Sequence, residues 1–511
     1  METTTLDGAS LRLEDLAPLL ADERVELAVS EAALEAVRRA REMVERRLAA
    51  GDVVYGLSTG FGKLKNVAVA AADLEQLQHN LVLSHCCGVG PPMPVEEVRI
   101  AQVLRLNGLV RGHSGVRPEL VLQLVRLFNA GFVPEVPQKG SVGASGDLAP
   151  LAHMAAAYMG HGRALFDGVA RPAAEALRAA GEEPLRLCAK EGLALVNGTE
   201  VQKAVGVATW LRAANLSRAA DAIAALSVEA MLGSARPFDE RLADLKGSDG
   251  QRRTAQNVRR CLAGSQVLAS HADCDRVQDA YSLRCAPQVH GAFKTALAHV
   301  GDVLASEVNG VTDNPLLFPD TDEVISAGQF HGQPVSMVLD YLALALATLA
   351  NISERRVAQL VDPDLSGLPA FLVREPGLNS GYMIAQVAAA ALASENKVLA
   401  HPASVDTIPT SANQEDHVSM GVTAARKARE ILDNTEYVLA IELLCAAQAR
   451  ELRDGLRAGA GAQALYDLVR AHVPPLERDR YLSDEIAVVR RLLRDGTVVA
   501  AVEATAGALW S

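Results

Sequence analysis

Leu342-Ala-Leu-Ala-Leu-Ala-Thr-Leu-Ala350 sits inside a run from Ser336 to Val361 that contains no proline. Leucine and alanine are strong helix formers, and this stretch leaves no polar face wide enough for a helix lying on a surface. A helix that is apolar on most sides must be surrounded by other helices. Four further proline-free segments have the same character: Val201 to Leu232, Val289 to Val308, Tyr382 to Leu399 and Met420 to Arg453. They run for about 18 to 34 residues, longer than an ordinary globular helix. Their small alanines let helix axes approach closely.

Upstream the text differs. Over residues 1–115, short elements alternate with glycine turns such as Tyr55-Gly-Leu-Ser-Thr-Gly-Phe-Gly62 and Gly88-Val-Gly-Pro-Pro-Met-Pro94. Apolar spacing predicts short helices at Glu31 to Ala50 and Glu96 to Leu109. The expected fold is therefore mainly α: an N-terminal mixed domain, residues 1–115, then residues 116–511 as a large bundle of long, nearly parallel or antiparallel helices. Reactive groups are expected in polar connections such as Asn309 to Glu323 and His401 to His417, at helix ends. The breadth of apolar surface points to burial between subunits, hence a homo-oligomer.

Of 511 residues, 49% are hydrophobic but only 4% aromatic, and the net charge is −13. An acidic chain lacks the basic face that nucleic acid or an anionic membrane requires, so neither is expected as a partner. It places no limit on a small zwitterionic substrate. Met1 to Leu13 lacks a basic patch followed by an apolar run, so no leader is expected. The most apolar stretch, Met337 to Ala350, is broken by Asp340 and reads as too short to span a bilayer. Seven cysteines (86, 87, 188, 261, 274, 285 and 445) form no CxxC pair and read as free, mostly buried thiols of a cytoplasmic protein. The histidines follow no metal-site spacing such as HExxH, so no metal is expected.

Two glycine-rich loops invite chemistry. Gly56-Leu-Ser-Thr-Gly-Phe-Gly-Lys63 is not a phosphate loop: five residues separate Gly56 from Gly62, and Leu64 stands where a hydroxyl is needed. The second loop is Gly140-Ser-Val-Gly-Ala-Ser-Gly-Asp-Leu-Ala-Pro-Leu-Ala-His-Met154. Its small residues permit backbone geometry that bulkier ones forbid. Asp147 is placed to cap, and Pro150 to occupy the first turn of, a helix running to Met159. A plain tight turn is one outcome. The other is chemical: if the Gly146 nitrogen closes on the Ala144 carbonyl carbon, loss of two waters leaves a five-membered ring bearing an exocyclic alkene from Ser145. The positive end of the following helix would stabilise an anion formed there.

Gly143-Ala-Ser-Gly-Asp-Leu-Ala-Pro150 resembles the prosthetic-group segment of the aromatic amino acid ammonia-lyases and aminomutases. The resemblance extends in order along the chain, through Tyr55–Gly62, Val196-Asn-Gly-Thr199, Val277-Gln-Asp-Ala-Tyr-Ser-Leu-Arg-Cys285, Gly328-Gln-Phe-His-Gly332 and Ser411-Ala-Asn-Gln-Glu-Asp-His417. It implies a carbon–nitrogen lyase whose Ala144-Ser145-Gly146 becomes 4-methylideneimidazole-5-one (MIO), with no metal or external cofactor. By position, Tyr55 resembles the base for the β-proton and Arg284 the grip on the substrate carboxylate. Asn197 resembles the donor to the MIO oxygen, Tyr281 a second phenol, Gln278 a polar neighbour of the ring and Phe330 an aromatic shield. His331 and His417 match supporting positions.

Ser84-His85 and Glu415 resemble the pairing of the histidine-acting members, and a histidine with a carboxylate suits an imidazole. The implied reaction is L-histidine to trans-urocanate plus ammonia, the opening step of histidine degradation, in a homotetramer with sites at subunit junctions. The alternatives within the family are tyrosine ammonia-lyase or aromatic 2,3-aminomutase activity; outside it, a silent helical scaffold. Cys86-Cys87, Ala280, Ala152 and Ser58 depart from the family's usual text, and Cys86 is a candidate lining residue for the substrate pocket.

Overall fold

The computed structural model describes residues 2–21, 23–453 and 455–511. All five long helices form, each within three residues of its predicted ends: Glu200–Ala230, Ala286–Glu307, Gln333–Val361, Met383–Leu399 and Gly421–Glu451. The Glu200–Ala230 helix is buried on nearly every side, as a helix without a polar face requires.

The described residues group into two compact units, each assembled from separated stretches. The first comprises Met1–Ala208, Gly301–Asp340 and Pro402–Arg426; the second comprises Thr209–Val300, Tyr341–His401 and Lys427–Ser511.

In the first unit every sheet is small. Glu2–Leu6 pairs in parallel with Val25–Val29, from Glu2 opposite Val25 to Leu6 opposite Val29. The other ladders, Val89–Pro92 with Pro137–Lys139, Val133–Pro134 with Arg163–Phe166 and Val169–Pro172, and Leu316–Phe318 with Glu323–Ile325, are antiparallel. The Val95–Leu109 helix runs through the interior and buries polar Glu97, Gln102, Arg105 and Asn107 with its apolar residues. Buried charge must be paired. Arg105 Nη1 donates to Glu200 Oε2 at 2.9 Å, and Lys190 Nζ to Asp313 Oδ2 at 2.7 Å with both side chains fully buried.

Helices are the only regular elements among the described residues of the second unit, joined by irregular connections. Its centre is also polar: Arg356 Nη2 donates to Glu442 Oε2 at 2.8 Å, while Ser227 and Ser353 donate to the same carboxylate. Nearby, Asp221 accepts from Asn257 and contacts His290 and Lys294.

Three expectations need correction. The Gln333–Val361 helix, at 29 residues, is long and apolar enough to cross a membrane, because flanking residues extend the Met337–Ala350 stretch. Two-thirds of its most apolar window is buried within the protein, and Asp340 accepts the Ser404 amide at 2.7 Å, as in a core helix. Of the seven free cysteines only Cys261 and Cys445 are buried; the other five are half-buried or exposed. Asp147 does occupy the N-cap position of the Leu148–Tyr158 helix, but its side chain makes no cap. Its carboxylate accepts instead from the backbone and side-chain amides of Gln202, at 2.8 and 3.2 Å.

Candidate active site

The Ala144-Ser145-Gly146 turn is shaped by its glycines. Gly143 and Gly146 have φ of +74° and +76° and bridge each other, and Gly146 also bridges Gly198. The Asp147 amide donates to the Gly198 carbonyl at 2.6 Å. A Cβ built on Gly146 would lie 2.0 Å from that oxygen, so no other residue fits. Ala144 is buried against Val418 and Met420, while Ser145 is half-buried. The Leu148–Tyr158 helix begins directly after the turn and directs its positive end at it. Burial pushes the Asp147 carboxyl up to about 7, against the amide of Gln202, which favours the charged form.

Asn197, just after the short Glu191–Val196 helix, donates its side-chain amide to the Ser145 carbonyl at 2.9 Å. Its position is fixed from behind, because Arg105 Nη1 donates to the Asn197 carbonyl at 2.9 Å. Glu415 follows three successive left-handed residues, Ser411, Ala412 and Asn413. That run is costly for residues with a Cβ, and such strain persists only where surrounding contacts over-determine it. Here Thr410 and Glu415 pair by backbone hydrogen bonds of 2.8 and 3.3 Å. The Glu415 carboxylate accepts from Thr410 Oγ1 (2.9 Å) and Ser411 Oγ (2.7 Å) on Oε2, and from Ser145 Oγ (3.1 Å) on Oε1.

A cavity of about 690 Å³ joins these groups. Tyr55, His85, Ser145, Asn197, Phe330 and Glu415 all line it. The Tyr55 hydroxyl accepts from the Gly62 amide at 3.4 Å. Burial raises its phenol above the ordinary range, and the charges of Glu415 and Asp313 raise it further. His85 ends the Leu74–His85 helix, with Nδ1 beside Ser84 Oγ at 3.1 Å. Burial lowers its imidazole below the usual value, which favours the neutral ring.

Gln278, Tyr281 and Arg284 are not among the lining residues. They belong to the second unit, where Tyr281 is 71% exposed and the Arg284 guanidinium lies 4.5 Å over its ring. His331 and His417 stack on each other, and neither lines the cavity. Cys86 does not line it either; its thiol donates to the Val82 carbonyl and is held at about 11 by burial. Lys63 and Lys65 do line it, a pair of cations that sequence reading passed over. Lys65 Nζ donates to Gln414 at 2.8 Å.

The aromatic amino acid lyase profile matches residues 11–471. A histidine ammonia-lyase of Gloeobacter violaceus is 53% identical over 505 residues, 99% of this chain and 98% of the relative. One from Stigmatella aurantiaca is 51% identical, covering 97% of each chain. Among solved structures, histidine ammonia-lyase from Trypanosoma cruzi superposes with a TM-score of 0.92 at 42% identity, covering 99% of this chain and 95% of that one. Tyrosine aminomutase from Streptomyces globisporus superposes with a TM-score of 0.93 at 36% identity, covering 98% and 99%. The chain belongs to the aromatic amino acid lyase family, and it is a carbon–nitrogen lyase. Relatives from Gloeobacter violaceus, Stigmatella aurantiaca and Myxococcus xanthus, about half identical over nearly their full length, are histidine ammonia-lyases.

Proposed function

We propose that the protein is a histidine ammonia-lyase, converting L-histidine to trans-urocanate and ammonia. The observation that carries this reading is the presence of His85 and Glu415 in the cavity that also holds Ser145 and Asn197. An imidazole needs one donor and one acceptor, and a neutral histidine with a carboxylate supplies both. A benzene ring would offer no hydrogen bond to His85 or to Glu415 Oε1, at a cost of about 1–3 kcal/mol each, which disfavours phenylalanine.

The tripeptide residues fit an MIO group. Gly146 leaves no room for a side chain, Asn197 Nδ2 already donates to the Ser145 carbonyl, and the buried Asn197 Oδ1 has no partner among the described residues. Formed there, MIO would supply an electrophile that takes up the substrate amine and makes it a better leaving group. Asn197 and the positive end of the Leu148–Tyr158 helix stabilise negative charge that develops beside them. Tyr55 takes the β-proton, and its raised pKa means that the phenolate must be favoured by the bound substrate or a neighbouring cation. Phe330 shields the reacting centre from water.

Arg284 fixes the substrate carboxylate, with Gln278 and Tyr281 beside it, and in our reading a neighbouring copy of the chain supplies all three. The exposure of Gln278 and Tyr281 supports this, as do two apolar stripes open to solvent in the single chain. One follows Met337, Tyr341 and Leu344; the other follows Ile384, Val387 and Val398. A homotetramer is the assembly we propose. The free thiols favour a reducing, cytoplasmic compartment.

The decisive experiment offers the purified protein histidine, tyrosine and phenylalanine separately. Urocanate is the expected product. Release of coumarate or cinnamate without urocanate would reject histidine as the substrate.

A further inference from the structure

Glu415 has an asymmetric set of partners. Thr410 Oγ1 and Ser411 Oγ both donate to Oε2, which fixes the carboxylate, while Oε1 is left to Ser145 Oγ at 3.1 Å. That serine oxygen is the atom that must leave if the tripeptide is to become an alkene. A substrate-binding role alone gives no reason for the carboxylate to be aimed at a hydroxyl that the finished group lacks.

We propose that Glu415 is also the acid that dehydrates Ser145, so that one carboxyl first helps make the prosthetic group and afterwards holds the substrate. This rests on the MIO reading above. Once the backbone ring has closed, the Ser145 Cα–H bond is acidified by the flanking carbonyl and imine. In the dehydration its electron pair becomes the new carbon–carbon double bond, and its proton passes to solvent water in the cavity. The Glu415 carboxylate first takes up a proton from solvent; the Cβ–Oγ bond then breaks, and Oγ leaves as water with that proton. Glu415 is thereby returned to the carboxylate, so the step releases one water and consumes no other reagent. Loss of the serine hydroxyl frees Oε1, the oxygen that then accepts the imidazole N–H. Thr410 and Ser411 are positioning residues in both stages.

The test is intact-protein mass measured on wild type, Glu415→Gln and Glu415→Asp, each expressed as the full chain and checked for native circular dichroism. Glutamine keeps the shape and can still hydrogen-bond Ser145, but it cannot deliver the proton; aspartate keeps the acid on a shorter arm. Wild type should be lighter than its encoded mass by two waters. Glu415→Gln should lack the second loss in most chains, and Glu415→Asp should complete it more slowly during a time course after induction. Completion of both losses in Glu415→Gln at the wild-type rate overturns the proposal. Equal stalling of the two variants also overturns it, since it makes the role one of shape. Wild type at full encoded mass overturns the MIO reading itself, and the inference with it.

Discussion

Tyr55 and His85 line one cavity, and burial moves their titrations in opposite directions, the phenol up and the imidazole down. Each shift favours the neutral side chain. For a base that works as a phenolate, the active fraction grows about tenfold per pH unit below its pKa. We therefore expect kcat/KM to climb between pH 7 and 9, and Tyr55→Phe to abolish the climb and reduce kcat/KM by about 10²–10⁴-fold; a parallel pH profile in the variant would assign the proton transfer elsewhere. The two vicinal cysteines should also differ. Cys86 is half-buried with its thiol held at about 11, whereas Cys87 is exposed. Because the thiolate is the nucleophile, iodoacetamide should label Cys87 well before Cys86, as peptide mass mapping would reveal. Six of the cavity-lining groups, Tyr55, His85, Ser145, Asn197, Phe330 and Glu415, were legible in the sequence because each stands inside a distinctive motif. Lys63 and Lys65 were not, since a lysine in a glycine turn reads as solvated until the chain folds the turn over a cavity.

Helices were the most readable elements, because twenty or more residues of uninterrupted apolar text leave few alternatives. The strands escaped notice. They are two to five residues long, too short for alternation to register, and several contain proline. Buried ion pairs were invisible as well, since a lysine and an aspartate 123 residues apart carry no mark of their pairing. Lys190 and Asp313 flank two site-lining stretches, the Glu191–Val196 helix and Asn314. Asp313→Ala leaves a buried ammonium without its partner and should destabilise the protein by about 3–5 kcal/mol. Adding Lys190→Met should restore part of that loss in a thermal melt. A melting temperature unchanged by Asp313→Ala would show that the pair holds nothing in place.

For the whole molecule, the sequence signalled assembly through apolar breadth and through the family resemblance, and exposed stripes at Met337–Leu344 and Ile384–Val398 give that breadth residues. Met337→Glu with Leu344→Lys should shift light-scattering mass toward smaller species. A stricter test mixes defects. Tyr55→Phe and Arg284→Ala should each be inactive, yet co-expression of the two should recover a measurable share of wild-type turnover, because some sites in a mixed assembly draw both intact residues from different chains. Background activity in the mixture would place Arg284 and Tyr55 of one chain in one site. The spacing of the Ser145–Glu415 contact also bears on synthesis, for its two ends lie 270 residues apart. A ribosome working at about 5–20 residues per second needs roughly 15 to 55 s to travel from one codon to the other. Nascent chains carrying the tripeptide must therefore wait, chemically inert at that serine, until translation is nearly finished.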